Sequence, residues 1–164
     1  MLEKRIIPLT KKEKDDFFHK HLPYRIDMLT TYEKIKDEFS NRHKILYCAY
    51  EASIIACRVL LEFLGLGIDK NNNLVEKREY YPTGSKAFDV KVKDLKGKFA
   101  DLNSINKEEQ DILAKAYLTG SWATAHLTYH PDKTYTKVIP LATKIIRKLL
   151  YDNLEKVRKI KIER

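Results

Sequence analysis

The sequence has few residues that interrupt secondary structure, with only five Gly and five Pro among its 164 residues. This scarcity favours long helices over the many short strands and turns of a sandwich or barrel. A chain of this length can bury roughly 70% of its unfolded surface, which is enough for one core without metal or disulfide support. We therefore expect residues 1–164 to form a single all-α domain, a bundle of four to five helices.

Long apolar runs are also missing, because no stretch of about 18 or more consecutive apolar residues occurs. The first five residues, Met1 to Arg5, run into charge without the apolar segment of a signal peptide. These observations predict a cytoplasmic protein with no membrane partner. Cys48 and Cys57 are nine positions apart on one predicted helix, too far around its axis to bridge, so we interpret both as buried thiols.

The strong chemical motifs are absent as well: there is no Gly-rich phosphate loop, no nucleophile elbow and no paired-cysteine zinc spacing. His126 and His130 have the i, i+4 spacing by which two imidazoles can share a metal ion. Structural and catalytic zinc sites need three or four protein ligands, however, and no third ligand is evident. We therefore expect neither a metal site nor a cofactor.

Positive charge is present and unevenly distributed. The net charge is +9, and residues 132–164 contribute +6 of it through ten Lys and Arg against four Asp and Glu. Such a segment can attract phosphate backbones by counterion release, although a solvated helix face gives the same pattern. The candidate nucleic-acid or partner-binding residues here are Lys144, Arg147, Lys148, Tyr151, Arg158 and Lys159.

Periodicity and capping signals predict the helices of the first half. Thr10 and Glu13 form a capping box for a first helix that should stop near His21, before Pro23. A second, half-exposed helix should run from Pro23 to about Ser40. Residues 42–64 are apolar around nearly the whole circumference, which is typical of a central helix.

Helical periodicity fails between residues 68 and 105, where we predict a long irregular excursion or a small hairpin. Asn71–Asn73 and Pro82–Gly84 are turn signals, while Phe88, Val90 and Val92 alternate with polar residues as in a strand. Long loops in compact domains are often functional. The loop residues that could form a contact surface are Tyr80, Tyr81, Lys86, Lys91 and Lys93. The alternative is that the aromatic residues anchor the loop to the bundle.

The remaining helices follow from similar signals. Asn106 and Glu109 cap a helix through about Tyr129, and Gly120 within its apolar face indicates close contact with the central helix. The last helix should span about residues 136–158, with Pro140 in its first turn and Leu141 facing inward.

A stripe along the helix after residue 106 is the one candidate for chemistry. Lys115, Thr119, Trp122 and His126 fall on one line at 100° per residue. A histidine beside a cation and an aromatic ring can transfer protons on RNA while the ring stacks a base. The alternative is a structural histidine at the boundary of the core, with Trp122 inside it.

Two segments carry a resemblance to a known family. The central helix from Glu51 to Gly65 and the later segment from Ser121 to Thr128 resemble helical-bundle proteins of the HEPN superfamily. The resemblance implies a homodimer and a role near nucleic acid or in defence and mobile-element biology. Active members are metal-independent RNases with an Arg-x(4–6)-His motif. His126 matches the histidine, but Thr119, Gly120 and Ser121 stand where the arginine would be.

Three functional hypotheses follow. The first is a non-catalytic module that binds RNA, DNA or a protein partner through the basic last helix and the loop of residues 68–105. The second is a diverged, metal-independent RNase that uses His126 with Lys115. The third is a small-molecule pocket inside the bundle, lined by Tyr47, Tyr50 and Trp122.

Overall fold

The computed structural model of the chain describes residues 8–79, 90–125 and 135–155, including all their side chains except those of 122–125 and 135–136. Its helices are α1 (Lys11–Asp16), α2 (Leu22–Ile35), α3 (His43–Phe63), α4 (Lys107–Ala125) and α5 (Tyr135–Asn153), and its two strands are β1 (Leu66–Ile68) and β2 (Leu74–Glu76). A mostly helical bundle is therefore confirmed. Within the described ranges, no helix has the length and apolar character needed to cross a membrane.

The first two helices are joined by a π-helical turn, Phe17–His21, rather than by a break. The predicted capping box is confirmed, because Thr10 Oγ1 accepts from the Glu13 N–H and Glu13 Oε2 accepts from the Thr10 N–H. The prediction that Pro23 stops the first helix is wrong. The wider π turn leads directly into α2, where Pro23 sits in the first turn and its missing N–H is tolerated. The second helix then ends at Ile35, five residues before Ser40.

The central position of α3 is confirmed for the part that follows Cys48. Ile54, Cys57 and Leu61 are at most 1% exposed, and α3 packs against α2, α4 and α5. Ser53 ties α3 to α2: its hydroxyl accepts from the Tyr32 N–H and donates to the Met28 carbonyl. The first turns of α3 are exposed. The prediction that Cys48 is buried is therefore wrong, and only Cys57 is buried.

The excursion after α3 begins with a small antiparallel hairpin in which Leu66 pairs with Glu76 and Ile68 with Leu74. The Asp69 carboxylate accepts from the N–H groups of Asn71 and Asn73 and so closes the predicted turn. Residues 90–93 do not form the predicted strand, since Val92–Leu95 is a 3-10 helix whose apolar residues are buried in the core. The predicted turn at Pro82–Gly84 and the strand residue Phe88 lie outside the described residues.

The predicted start of α4 is confirmed by a capping pair in which Asn106 Oδ1 accepts from the Glu109 N–H. Gly120 packs closely on α3, as predicted. A Cβ atom at this position would lie 2.9 Å from both the Ile54 carbonyl oxygen and the Arg58 Cβ.

Helix α5 packs on the other helices through Ile139, Ile146 and Leu150, and Thr143 Oγ1 donates to the Leu29 carbonyl of α2. Two details of the prediction are wrong. Because α5 begins at Tyr135, Pro140 lies in the second turn rather than the first. Leu141 lies on the outer face and is 46% exposed, whereas Ile139 before it and Ala142 after it are buried.

Candidate functional site

The outer face of α5 carries a row of lysines. Lys137, Lys144 and Lys148 are all exposed, and at 100° per residue they lie within about 40° of one another around the helix. We call these three residues the α5 lysine row. Their Cα atoms are separated along the axis by about 10 Å and then about 6 Å, from the helical rise of 1.5 Å per residue.

The lysine row has no internal neutralisation in the part of the chain that the structure describes. No carboxylate among those residues makes an ion pair with Lys137, Lys144 or Lys148. Asp152, one turn after Lys148, also makes no ion pair there. Within the described ranges, no acidic side chain neutralises the charge of the row.

The two other predicted binding residues on α5 are half-buried. Tyr151 packs against the hydrophobic core, and Arg147 lies at the side of the helix with its Nε atom buried. Both residues flank the lysine row rather than stand in it, and Arg158 and Lys159 lie outside the described residues.

A second group of lysines docks on the C-terminal end of α5. The Lys98 N–H donates to the Asn153 carbonyl at 2.8 Å, which fixes the segment after the 3-10 helix against that end. Lys93 in the 3-10 helix is exposed, and so are Lys96 and Lys98 just after it; we call these three residues the lysine loop. The two regions predicted separately from the sequence, the last helix and the excursion, therefore meet at the end of α5.

The prediction that Lys91 belongs to an exposed contact surface is wrong. Lys91 is 3% exposed, and its Nζ donates to the Glu62 carbonyl at the end of α3. The neighbouring Val92 is fully buried and draws the chain onto the core. Lys93, two residues later, is exposed as predicted and lies 5.6 Å from the Phe99 ring centroid.

Arg58 and Glu62 of α3 and Tyr117 of α4 form a half-buried polar cluster between the two helices. Glu62 Oε1 accepts from Arg58 Nε at 3.0 Å and from the Tyr117 hydroxyl at 2.6 Å. Burial, with the Glu62 carboxylate beside it, raises the pKa of Tyr117. The phenol therefore stays protonated at neutral pH and acts as a hydrogen-bond donor rather than a base.

The predicted catalytic stripe is described only in part. Lys115 is exposed on α4, and the Thr119 hydroxyl donates to the Lys115 carbonyl. His126 lies outside the described residues, as do Tyr80, Tyr81 and Lys86, and the side chain of Trp122 is not described either. Among the described residues, no group of three or more His, Cys, Asp and Glu could hold a metal ion.

Of the two described tyrosines that were predicted to line an interior pocket, only Tyr50 lies in the interior. Tyr47 is 53% exposed, while Tyr50 is buried and packs edge-on against Tyr32 with ring centroids 5.4 Å apart. A cleft of about 530 Å³ lies elsewhere, between the α1–α2 wall and the C-terminal half of α3. Phe17, Arg25 and Phe63 are among its lining residues.

Several of these residues were missed by sequence reasoning. Lys96 and Lys98 belong to the run Lys-Asp-Leu-Lys-Gly-Lys, whose local charge was a usable signal. Lys137 stands seven residues before Lys144 and eleven before Lys148, a spacing that places all three on one side of a helix. The cleft had no sequence signal, because it depends on how α2 lies against α3.

Comparisons with protein-family models, curated proteins and solved structures found no match to this chain.

Proposed function

We propose that this protein is a non-catalytic helical module that binds single-stranded RNA or DNA through the α5 lysine row and the lysine loop. The observation that carries the proposal is an exposed lysine row that pairs with no carboxylate among the described residues, on a helix whose other face is fixed in the core. A protein-partner role is the other outcome of the same test.

The physical basis is counterion release. Each phosphate that a lysine neutralises frees condensed cations, so binding weakens steeply as salt rises. The row is held on a helix that packs on the core, so the backbone needs no ordering on binding and only the lysine side chains lose freedom. Lysine is a compact point charge that suits phosphate without base selectivity, and we therefore expect weak sequence preference.

The test is the double variant Lys144→Glu/Lys148→Glu, measured by fluorescence anisotropy with a labelled single-stranded RNA at 50 mM and 200 mM salt. We expect an affinity loss of at least about tenfold at 50 mM. The slope of log affinity against log salt should also fall by about 1.4, that is, 0.7 for each lost phosphate contact on a single strand.

The matched control is Lys36→Glu/Lys70→Glu, which makes the same change in net charge at two exposed positions outside the lysine row and the lysine loop. This control should keep most of the wild-type affinity. Equal losses in both double variants would reduce the effect to net charge, and no binding by wild type at 50 mM would leave a protein partner as the better proposal.

Two consequences of the HEPN resemblance belong to the same proposal. Self-association into a homodimer is tested by light scattering across a concentration series. The RNase alternative is tested on a gel with the anisotropy samples: RNA cleavage that persists in chelator and disappears in His126→Ala would replace the non-catalytic function with a catalytic one.

A further inference from the structure

The cleft beside the π-helical turn has the dimensions of a small-molecule site. Its volume is about 530 Å³, within the roughly 300–1,000 Å³ typical of ligand pockets. One wall is the continuous helical segment from Glu13 to Arg25, and the other is the last turn and a half of α3, from Val59 to Phe63. This cleft is separate from the lysine row and the lysine loop, because no residue of either lines it.

The floor of the cleft is apolar and aromatic. The Phe17 and Phe63 rings stack with centroids 5.8 Å apart and an interplanar angle of 24°. Leu22 and Leu60, behind them, are at most 1% exposed and leave the floor rigid. The His21 ring lies 6.0 Å from Phe17, on the same side of the π turn. Such turns are rare and occur often at functional sites.

The carboxylates that line the cleft already have partners within the protein. Glu13 accepts from the N–H and the hydroxyl of Thr10. Asp16 accepts from Lys20 at 2.6 Å. Glu62 accepts from Arg58 and from Tyr117. Each of these carboxylates is thus already hydrogen-bonded within the fold.

Arg25 is different from these acids. Arg25 is a half-buried residue that lines the cleft, and among the described residues no carboxylate makes an ion pair with it. Its one hydrogen-bond acceptor there is the Met28 sulfur at 3.4 Å, a weak acceptor. The guanidinium carbon also lies over the ring of the exposed Tyr24, 5.6 Å from its centroid. No acceptor within residues 8–79, 90–125 and 135–155 takes up the other four of its five N–H donors.

We propose that this cleft binds a small amphipathic carboxylate, whose anionic head pairs with Arg25 and whose apolar body lies on Phe17 and Phe63. A guanidinium matches a carboxylate with two parallel N–H···O bonds, and the His21 ring can add a further donor. Arg25 and Phe17 are eight residues apart on the wall, so the apolar body should extend about 12 Å. A straight-chain carboxylate such as decanoate fits this description.

The test displaces a fluorescent probe, 11-(dansylamino)undecanoate, from the full-length wild-type protein with decanoate or with decylammonium, two ligands with the same chain and opposite heads. We expect decanoate to displace the probe at a concentration at least about tenfold lower than decylammonium, because only the anion gains the charge-assisted bonds of Arg25. Equal displacement by both ligands, or better displacement by the cation, overturns the proposal without any variant.

Variants then assign the head group. Arg25→Gln should weaken decanoate binding by about tenfold or more, and the loss should be much smaller for decanol, which lacks the charge. The matched control is Arg42→Gln, which removes an exposed guanidinium just before α3, at the opposite end of the α2–α3 pair. Unchanged decanoate affinity in Arg25→Gln, with a wild-type melting temperature, overturns the role of Arg25.

Discussion

Lys91 and Lys93 lie two positions apart and have opposite environments. Lys91 is buried and donates to the Glu62 carbonyl, whereas Lys93 is exposed in the lysine loop. Both lysines look alike in the sequence, because the alternation of residues 88–93 placed them on one face of a strand. The 3-10 helix at Val92–Leu95 replaced that strand, so the two side chains point into different surroundings.

The two cysteines differ in the same way, and this yields a residue-scale prediction. Cys48 is exposed, while Cys57 is fully buried and its burial raises its pKa to about 12. We expect one thiol of the native protein to react rapidly with Ellman's reagent at pH 8 and the second to react only after denaturation, because the thiolate is the nucleophile. Two rapidly reacting thiols would contradict the burial of Cys57.

Cys48→Ser is the control for this assignment, and it should remove the fast phase and leave the slow one.

The burial of Cys57 also makes the stability of the protein depend on pH. An unfolded thiol ionises near pH 9.0, so the unfolded state releases a proton that the native state keeps until about pH 12. The contribution of Cys57 to stability is therefore full below pH 9 and is lost as the pH rises toward 12.

At the scale of the elements, the contact between α3 and α4 depends on the absence of a side chain at Gly120. Ala is the better helix former by about 1 kcal/mol, but its Cβ would lie 2.9 Å from the Ile54 carbonyl oxygen and from the Arg58 Cβ. We expect Gly120→Ala to lower the free energy of unfolding by about 1–3 kcal/mol, the usual cost of overpacking. Urea denaturation measures the change.

Lys115→Ala, on the exposed face of the same helix, serves as the control and should change the free energy of unfolding by less than about 0.5 kcal/mol. If Gly120→Ala were more stable than wild type, α3 and α4 would have to lie further apart at this position, with room for the added Cβ atom. A similar loss in both variants would point to the helix itself rather than to the contact.

Capping pairs and apolar periodicity predicted where most helices begin, because both act within a few residues of each other. Thr10 with Glu13 and Asn106 with Glu109 form the predicted pairs. The π turn was not predictable, since its stability depends on how Phe17 packs against Phe63, a residue 46 positions away. The prediction for Leu141 was wrong because one residue of helix rotation, about 100°, separates a buried position from an exposed one.

At the scale of the whole molecule, the basic surface and the apolar cleft lie in two separate regions. The lysine row and the lysine loop meet at the end of α5, whereas the cleft lies between the α1–α2 wall and α3. The basic character of the last helix could be predicted from composition alone. The contact between this helix and the lysine loop could not be predicted, because it depends on the backbone hydrogen bond from Lys98 to Asn153, which are 55 residues apart.

If the lysine row and the lysine loop form one phosphate-binding surface, as proposed, the affinity for RNA must depend on salt through both of them. The measurement compares wild type with Lys144→Gln/Lys148→Gln, with Lys96→Gln/Lys98→Gln and with all four changes combined, each titrated from 50 mM to 200 mM salt. Six phosphate contacts to a single strand, one for each lysine of the row and the loop, predict a wild-type loss of roughly 300-fold over this range. Each double variant should lower the slope by about 1.4 and the combination by about 2.8; slopes that stay at the wild-type value in either double variant would contradict the claim.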